Sequence, residues 1–289
     1  MPAHRPAAAA PRGLILTADD FGLHVSVNAA VELAWRDGVL NAASLMVAAP
    51  AAADAVARAR RLPGLRVGLH LVLADGAATL PASQIPDLVG ADGRFGSDMA
   101  RAGCRFFFLP RVRRQLAAEI RAQFAAYAAT GLPLDHVNTH KHFHLHPTVL
   151  TLILTIGRDY GLRAMRLPLE ANAPFWLRPW LLLTRRRLRA AGIAHNDHVV
   201  GIAASGAMDE AALLAALPAL AAGVTEIYLH PGLASGAAVA ASMDGYRHAD
   251  ELAALLSPRV RAALEQLVQG GLRRGGFADL LPAPRWQAT

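Results

Sequence analysis

The chain of 289 residues has a single cysteine, a single lysine and no apolar run long enough to cross a bilayer. The lone Cys104 excludes an intramolecular disulfide and a zinc site built from several cysteines. One free cysteine suits a reducing compartment, so we predict a cytoplasmic protein. Aromatic residues make up only 6% and charged residues 18% of the chain.

Several functional motifs are missing as well. The sequence contains no nucleophile-elbow serine and no glycine-rich phosphate loop of the usual form. It also lacks a helix-turn-helix and an aromatic RNA-binding pattern, so we predict no nucleic-acid partner. The formal net charge is +7, and the positive charge is almost all arginine. A basic, apolar chain favours anionic ligands or a membrane surface.

What the chain does have is an alternation of strand-like and helix-like segments, and 54% of its residues are hydrophobic. This alternation is typical of parallel βαβ units, and a single α/β domain of barrel type over residues 13–289 fits best. Residues 1–12 are rich in alanine and proline, and we interpret them as a disordered leader. The predicted strands cover residues 14–16, 41–48, 65–73, 134–138, 162–168, 199–204 and 224–229.

The stretch 136–146 holds five of the chain's 12 histidines. In an extended conformation, Asn138, His140, His142 and His144 would share one face. Neutral imidazole is the commonest metal ligand in proteins, which favours a metal site. The alternatives are a solvated basic loop or an expression tag. The internal position and the apolar residues between the histidines argue against a tag.

Other candidate site residues also end predicted strands. Asp19 and Asp20 follow the first strand, His70 lies in the third, and His230 ends the last one before Pro231-Gly232. Each has a structural alternative: a helix N-cap for one aspartate, a satisfied core residue for His70, and a turn without a role for His230. Together with His140 they would lie on one rim of a barrel, where barrel active sites are found.

Two histidines and one aspartate around a divalent ion leave positions open for water, as in catalytic sites. A second carboxylate would accept a proton from water, and a second histidine would protonate a leaving amine. This set suits hydrolysis of an amide or an ester. Spacing alone leaves open which of Asp19 and Asp20 is the ligand.

The motifs Thr17–Gly22, Gly68–Leu71, His136–His144 and Leu229–Gly232 resemble those of the YdjC/ChbG-like carbohydrate deacetylases. The resemblance implies an α/β fold, a distorted (β/α) barrel related to polysaccharide deacetylases. It implies a metal-dependent hydrolase with Asp20, His70 and His140 as metal ligands. It also implies Asp19 as the base and His230 as an acid or active-site partner. Predicted substrate contacts are Asn138, His142, His144, Arg166, Trp176 and Trp180.

One position departs from the family pattern. Family members often have aspartate where this chain has Asn138, two residues before His140. An amide still forms hydrogen bonds, but it cannot balance the charge of a nearby cation.

Three further segments are similar to a hopanoid-biosynthesis subgroup of the family, the HpnK proteins: 43–47, 85–88 and 138–147. That subgroup implies removal of the acetyl group from an N-acetylglucosaminyl hopanoid lipid. The segments 106–114 and 175–189 combine aromatic residues with arginine, as interfacial helices do. We therefore predict peripheral contact with the inner membrane. An ordinary core-facing helix with a basic outer face explains the second segment equally well.

The substrate and the ion leave alternatives. A soluble chitooligosaccharide is the nearest alternative substrate, a metal-dependent phosphoesterase is a second class, and a metal-binding or lipid-carrier protein is a third. Nitrogen ligands favour one Zn²⁺ ion, with Mg²⁺ as the alternative. The sequence predicts no oligomeric state.

Overall fold

The computed structural model describes residues 12–234 and 239–281. The predicted leader lies outside the described residues except for Arg12, which begins the first strand. The strands are β1 (Arg12–Phe21), β2 (Ala42–Leu45), β3 (Arg66–Leu71), β4 (Val137–Thr139), β5 (His198–Val200), β6 (Gly223–Leu229) and β7 (Leu272–Arg274).

All the strand pairs are parallel, and the order is β4-β3-β2-β1-β6-β5, with β7 pairing to β1. The central strand β1 is buried along almost its whole length. Beyond β4 the pairing continues irregularly, through bridges from Met165 to Val137 and from Ala164 to Ala194. The result is a curled parallel sheet forming a half-barrel, which confirms the predicted distorted (β/α) barrel.

Helices cover the outside of the sheet because one face of each is apolar. They are α1 (Val25–Arg36), α2 (Ala52–Ala59), α3 (Met99–Phe108), α4 (Pro110–Ala129), α5 (Pro147–Gly157), α6 (Arg178–Ala190), α7 (Glu210–Ala216), α8 (His248–Leu256), α9 (Pro258–Gln269) and α10 (Phe277–Leu280). Within the described ranges, no helix combines the length and the apolarity needed to cross a membrane.

The seven observed strands are not the seven predicted ones. The predicted strand 162–168 is wrong as a regular strand, because only the two isolated bridges pair it. In its place, β7 adds three residues beside the start of β1. A three-residue strand carries too little alternation to be recognised from sequence.

Candidate metal and active site

The site begins with an irregularity at the end of β1. Asp20 has a left-handed backbone, with φ of 62°, and the pairing of β1 with β2 shifts register between Ala18 and Phe21. Side chains of adjacent residues in a regular strand point to opposite faces. The irregular backbone allows both Asp19 and Asp20 to face the interior of the half-barrel. Such backbone outliers cluster at functional sites.

Three side chains converge here, one each from the ends of β1, β3 and β4. Oδ1 of Asp20 lies 3.3 Å from Nε2 of His70 and 3.3 Å from Nδ1 of His140. The two imidazole nitrogens are 3.4 Å apart. We call these three atoms the ligand triangle. Asp20, His70 and His140 are all buried and could hold one metal ion.

The chemistry of the ligand triangle fits a cation. Among the described residues, neither carboxylate oxygen of Asp20 has a hydrogen-bond partner, although both are buried. A buried carboxylate without donors is costly unless a positive group compensates it. Burial would raise the pKa of Asp20, but the imidazoles of His140 and His70 outweigh it and hold that pKa well below its usual value. Asp20 is therefore an anion facing two nitrogen ligands.

His70 is poised between two carboxylates. Burial alone would lower the pKa of His70, but the charges of Asp19 and Asp20 outweigh this effect and raise it. The opposite ring nitrogen, Nδ1, lies 2.6 Å from Oδ1 of Asn138. A metal-ligating histidine normally has such a partner on its second nitrogen, which fixes the orientation of the ring.

Asp19 faces a different partner. Its carboxylate receives two hydrogen bonds from Arg166, at 2.6 and 3.0 Å, and one from Nδ2 of Asn138 at 3.1 Å. Burial would raise the pKa of Asp19, but the Arg166 guanidinium outweighs it and keeps that pKa far below its usual range. Asp19 is therefore an anion at neutral pH.

Arg166, predicted as a substrate contact, is fully buried. Besides Asp19 it donates to both oxygens of Glu226, each at 2.8 Å, and its guanidinium stacks over the ring of Tyr228. The side chain therefore lies behind the site, where it holds Asp19, and does not line the cavity.

His230 follows β6 and faces the ligand triangle from the other side. Its Nε2 lies 3.9 Å from Oδ2 of Asp20, and its Nδ1 has no hydrogen-bond partner in the described part of the chain. The backbone of His230 is held on both sides: its N–H donates to Glu251, and its carbonyl oxygen lies 2.6 Å from Nδ1 of His248.

The predicted extended face of the histidine stretch ends at Thr139. Residues His140–Leu145 form a 3₁₀ segment in which Lys141 and His142 have left-handed backbones. Consequently His142 and His144 do not continue the row of Asn138 and His140. The sequence could not predict this turn of the backbone, since lysine and histidine do not usually adopt a positive φ.

His142 does line the cavity, and its Nε2 lies 3.2 Å from the hydroxyl of Tyr228. Burial and the nearby Arg166 charge lower the pKa of His142 to about 3, so the ring is neutral. His144 is fully buried and points away from the cavity, with Nδ1 2.8 Å from Oγ1 of Thr139. Burial, with a smaller contribution from His142, holds the pKa of His144 well below its usual value.

A cavity of about 160 Å³ opens over this constellation. Several residues that line the cavity were not predicted from the sequence. Tyr228 could have been, because it lies on β6 two positions before His230, and residues two apart in a strand share a face. Tyr246 and Met243 come from the loop before α8, which has no motif to mark it. The other missed lining residues are Thr139, Lys141, Ile202, Ser205 and Ser242.

Trp176 and Trp180 lie outside the cavity. Trp176 is 68% exposed just before α6, and Trp180 donates a hydrogen bond from Nε1 to the carbonyl oxygen of Leu145 at 2.6 Å. Leu145 ends the segment that begins with His140. Trp180 is therefore connected to the site through that segment, and neither tryptophan belongs to the ligand triangle.

The family model described as "YdjC-like protein" matches residues 13–266. The chain belongs to the YdjC-like protein family. This membership confirms the family predicted from the four motifs.

Relatives with names are similar over different lengths. A carbohydrate deacetylase of Brevibacillus brevis is 30% identical over 257 residues, which cover 86% of this chain and 92% of that protein. A chitooligosaccharide deacetylase of Serratia marcescens is 34% identical over 151 residues, 52% of this chain and 57% of that protein. Similarity to the second relative thus spans only about half of each chain.

A solved structure has the same fold. A proposed cellobiose-phosphate cleavage protein from Enterococcus faecalis superimposes with a TM-score of 0.75 over 94% of this chain and all of that one. Its sequence is 24% identical, so the likeness concerns the fold alone.

Proposed function

We propose that this protein is a metal-dependent carbohydrate N-deacetylase, which hydrolyses the acetamide of an N-acetylated sugar to an amine and acetate. One observation carries the proposal. The ligand triangle, whose carboxylate is buried without a hydrogen-bond donor among the described residues, borders one cavity with a second ionised aspartate and a third histidine. The carbohydrate deacetylases among the relatives support the same reaction.

In this proposal Asp20, His70 and His140 hold the ion. A bound divalent cation supplies a Lewis acid, which polarises the acetyl carbonyl and acidifies the attacking water. Asp19 accepts the proton of that water as its oxygen bonds to the acetyl carbon. His230 donates a proton to the sugar nitrogen as the carbon–nitrogen bond breaks. One water is consumed, and acetate and the amine leave.

The setting of Asp19 has two consequences for this role. Arg166 keeps the carboxylate ionised, so it is ready to accept a proton over a wide pH range. The same ion pair makes Asp19 a weak base, which reduces the driving force for proton uptake. Arg166 also fixes the carboxylate through two parallel hydrogen bonds, and such fixed geometry lowers the barrier by orientation.

For the ion we propose Zn²⁺. Two of the three ligand atoms would be imidazole nitrogens, a donor set that suits Zn²⁺ better than Mg²⁺, which takes oxygen ligands. The edges of the ligand triangle, 3.3, 3.3 and 3.4 Å, would let all three atoms contact one ion.

Acetate release tests the proposal. Chelator-treated protein should be inactive on N-acetylated chitooligosaccharide and should recover with Zn²⁺. His70→Ala should lower the rate by about 10³-fold or more, because a Lewis acid contributes several kcal/mol to transition-state stabilisation. His198→Ala is the matched control, since the side chain of this partly exposed histidine at the start of β5 lies outside the cavity and is 3.3 Å from the carbonyl oxygen of Ala222.

Two results would contradict the proposal. Release of phosphate from phosphate esters, without acetate from any N-acetyl sugar, would select a phosphoesterase. Zinc binding that His140→Ala abolishes, with no hydrolytic activity in the unsubstituted protein, would select a metal-binding or carrier protein.

The named relatives favour a soluble sugar over the hopanoid lipid as the substrate. We therefore take an N-acetylated oligosaccharide as the first candidate and the N-acetylglucosaminyl hopanoid of the HpnK subgroup as the second. A surface of exposed aromatic residues and arginines supports the lipid as the second candidate.

That surface consists of aromatic residues at the end of α3 and around the start of α6, together with arginines along α6. We call it the aromatic–arginine surface. Phe108 is 71% exposed, and its neighbour Phe107 contacts the ring of His146. Helix α6 has five arginines and no acidic residue. The aromatic–arginine surface comprises Phe107, Phe108, Phe175, Trp176, Arg178, Trp180, Arg185 and Arg186.

Large exposed apolar groups beside cations suit a membrane carrying anionic lipid. Trp180 links this surface to the segment that carries His140, so a lipid-anchored sugar would have a short path to the cavity. A membrane-bound substrate therefore explains exposed side chains that a soluble sugar would leave without a role.

Liposome binding tests the second candidate. Trp176→Ser combined with Trp180→Ser should weaken binding to anionic liposomes about tenfold and change turnover of soluble chitooligosaccharide less than about twofold, because both residues lie outside the cavity. Val268→Ser, which removes an apolar side chain that is 44% exposed on α9, is the control. Equal losses on liposomes and on the soluble sugar would count against membrane contact.

A further inference from the structure

A row of buried polar groups runs away from the ligand triangle into the centre of the sheet. It passes from His70 through Asn138, Ser44 and His136 to Asp135. All five side chains are buried, and the proposed reaction uses only the first of them directly. Buried polar networks are costly unless each member has a partner, so such a row calls for a reason.

The amide of Asn138 can be oriented without ambiguity. Its Nδ2 lies 3.1 Å from Oδ1 of the ionised Asp19, so this end of the amide must donate. Its Oδ1 then faces Nδ1 of His70 at 2.6 Å and must accept. In the neutral imidazole, His70 therefore carries its proton on Nδ1, and the lone pair on Nε2 points into the ligand triangle.

The directions of the remaining hydrogen bonds follow in order. The second proton on Nδ2 of Asn138 is donated to Oγ of Ser44, at 2.8 Å. Nδ1 of His136 lies 2.9 Å from Oδ2 of Asp135, a carboxylate oxygen that can only accept, so Nδ1 carries the ring proton and donates it. In the neutral ring Nε2 is then an acceptor, and the hydroxyl of Ser44 donates to it at 3.0 Å. With a neutral His136 the bonds therefore run in one direction.

Asp135 anchors the far end of the row. Its two carboxylate oxygens accept the backbone N–H groups of Phe277 and Ala278, at 3.1 and 3.0 Å. The ring of His136 also stacks on Phe277, with centroids 4.5 Å apart. The last residue of the row is therefore fixed by the first turn of α10.

The fold makes room for this row at Gly68. Ser44 on β2 pairs with Gly68 on β3, and the ring of His136 lies where a Cβ of Gly68 would be, 2.5–2.6 Å away. Only glycine allows the imidazole to pass over β3 and reach Ser44. The glycine of the Gly68–Leu71 motif thus has a steric role distinct from that of His70.

We propose that Ser44 and His136 are positioning residues for the ion. They hold the amide of Asn138, which sets the proton of His70 on Nδ1 and presents its Nε2 to the cation. The inference rests on the proposed metal site and deepens it. Partners of ligating histidines typically contribute about 10- to 100-fold to metal affinity, and Ser44 acts one step further out.

Zinc affinity gives the first test, with Zn²⁺ alone as the probe in a chelator competition. Ser44→Ala removes the acceptor of Asn138 and should weaken zinc binding about 3- to 10-fold. Thr225→Val is the matched control, because this buried hydroxyl on β6 has no hydrogen-bond partner among the described residues. Unchanged affinity in Ser44→Ala, with normal binding by the unsubstituted protein, would overturn this inference alone.

The proton on His136 gives a second test, which needs neither zinc nor activity. Long-range ¹H–¹⁵N spectra should show an Nδ1–H ring in the unsubstituted protein. In Ser44→Ala, Nε2 of His136 loses its donor, so its ¹⁵N resonance should move towards that of an acceptor nitrogen without a hydrogen bond, while Nδ1 keeps its proton. A proton on Nε2 in the unsubstituted protein, or an Nε2 resonance that Ser44→Ala leaves unchanged, would overturn the inference. Failure of the unsubstituted protein to bind zinc would instead overturn the proposed function.

Discussion

The ligand triangle and the aromatic–arginine surface are opposite kinds of functional feature. Around the triangle, polar groups are buried and many have determined partners, but among the described residues both oxygens of Asp20 and Nδ1 of His230 have none. On the surface, large apolar side chains are exposed beside arginines. The first region indicates a cation as its ligand, because the buried carboxylate of Asp20 has no hydrogen-bond donor among the described residues. The second indicates only a class of partner, because many apolar or anionic surfaces would cover it.

The largest effects are expected from substitutions of the two aspartates at the end of β1. Asp19→Asn should lower kcat by about 10²–10⁴-fold, the usual contribution of a general base, and should leave zinc affinity within about tenfold. Asp20→Asn should lower zinc affinity by more than the roughly 100-fold typical of losing an outer partner. Acetate release and chelator competition on the same samples separate the two effects.

The opposite pattern of losses would mean that Asp19 is the metal ligand and Asp20 the base. If Asp19→Asn abolished zinc binding while Asp20→Asn retained it, Asp19 would be the ligand. That is the alternative which spacing alone leaves open.

A smaller effect is expected on stability, from the buried His144. Its pKa is lowered in the folded protein by burial, whereas in the unfolded chain it lies near 6.5. The stabilisation from keeping this ring neutral is complete above about pH 6.5 and is lost as the pH falls below that value. Between pH 7 and pH 5 the loss should be about 2 kcal/mol.

Denaturant unfolding of His144→Asn measures this loss. Asparagine retains a partner for Oγ1 of Thr139 but does not titrate. The free energy of unfolding of the variant should therefore fall about 2 kcal/mol less than that of the unsubstituted protein over the same pH range. Parallel pH dependences would mean that His144 is not held neutral in the folded state.

The smallest effect is expected at the aromatic–arginine surface. Replacing Arg185 and Arg186 with Glu should change the free energy of unfolding by less than about 0.5 kcal/mol, as is usual for surface positions. Turnover of a soluble sugar should stay within about twofold, while binding to anionic liposomes should fall and lose its salt dependence. A large loss of soluble-sugar turnover would join this surface to the active site and break the contrast between the two regions.

Much of the fold was predictable because its pattern is local. Apolar runs predict β3 and β6 close to their observed bounds, whereas the predicted strand 14–16 covers only three residues of β1. The segment 162–168 was not predictable in the same way. It looks like a strand, but it turns Arg166 inward to Asp19 and Glu226, and it pairs only through isolated bridges.

Candidate site residues were predictable where a polar residue interrupts an apolar strand end. Asp20, His70 and His140 carry that signal, and the structure brings them together. Ser44 and His136 carry it weakly, and their connection depends on contact across three strands. The 3₁₀ segment that turns His144 away from the cavity depends on two left-handed backbones, for which local sequence offers no sign.

The sequence alone determined the kinds of group available: carboxylates and imidazoles at strand ends, almost no cysteine, and an excess of arginine beside aromatic residues. Only the tertiary structure decided which groups meet. It paired Asp19 with Arg166 and left Asp20 without a hydrogen-bond donor among the described residues, although the two are neighbours in the chain. The physical reason is that the energy of a charge depends on what surrounds it, and residues distant in sequence provide those surroundings.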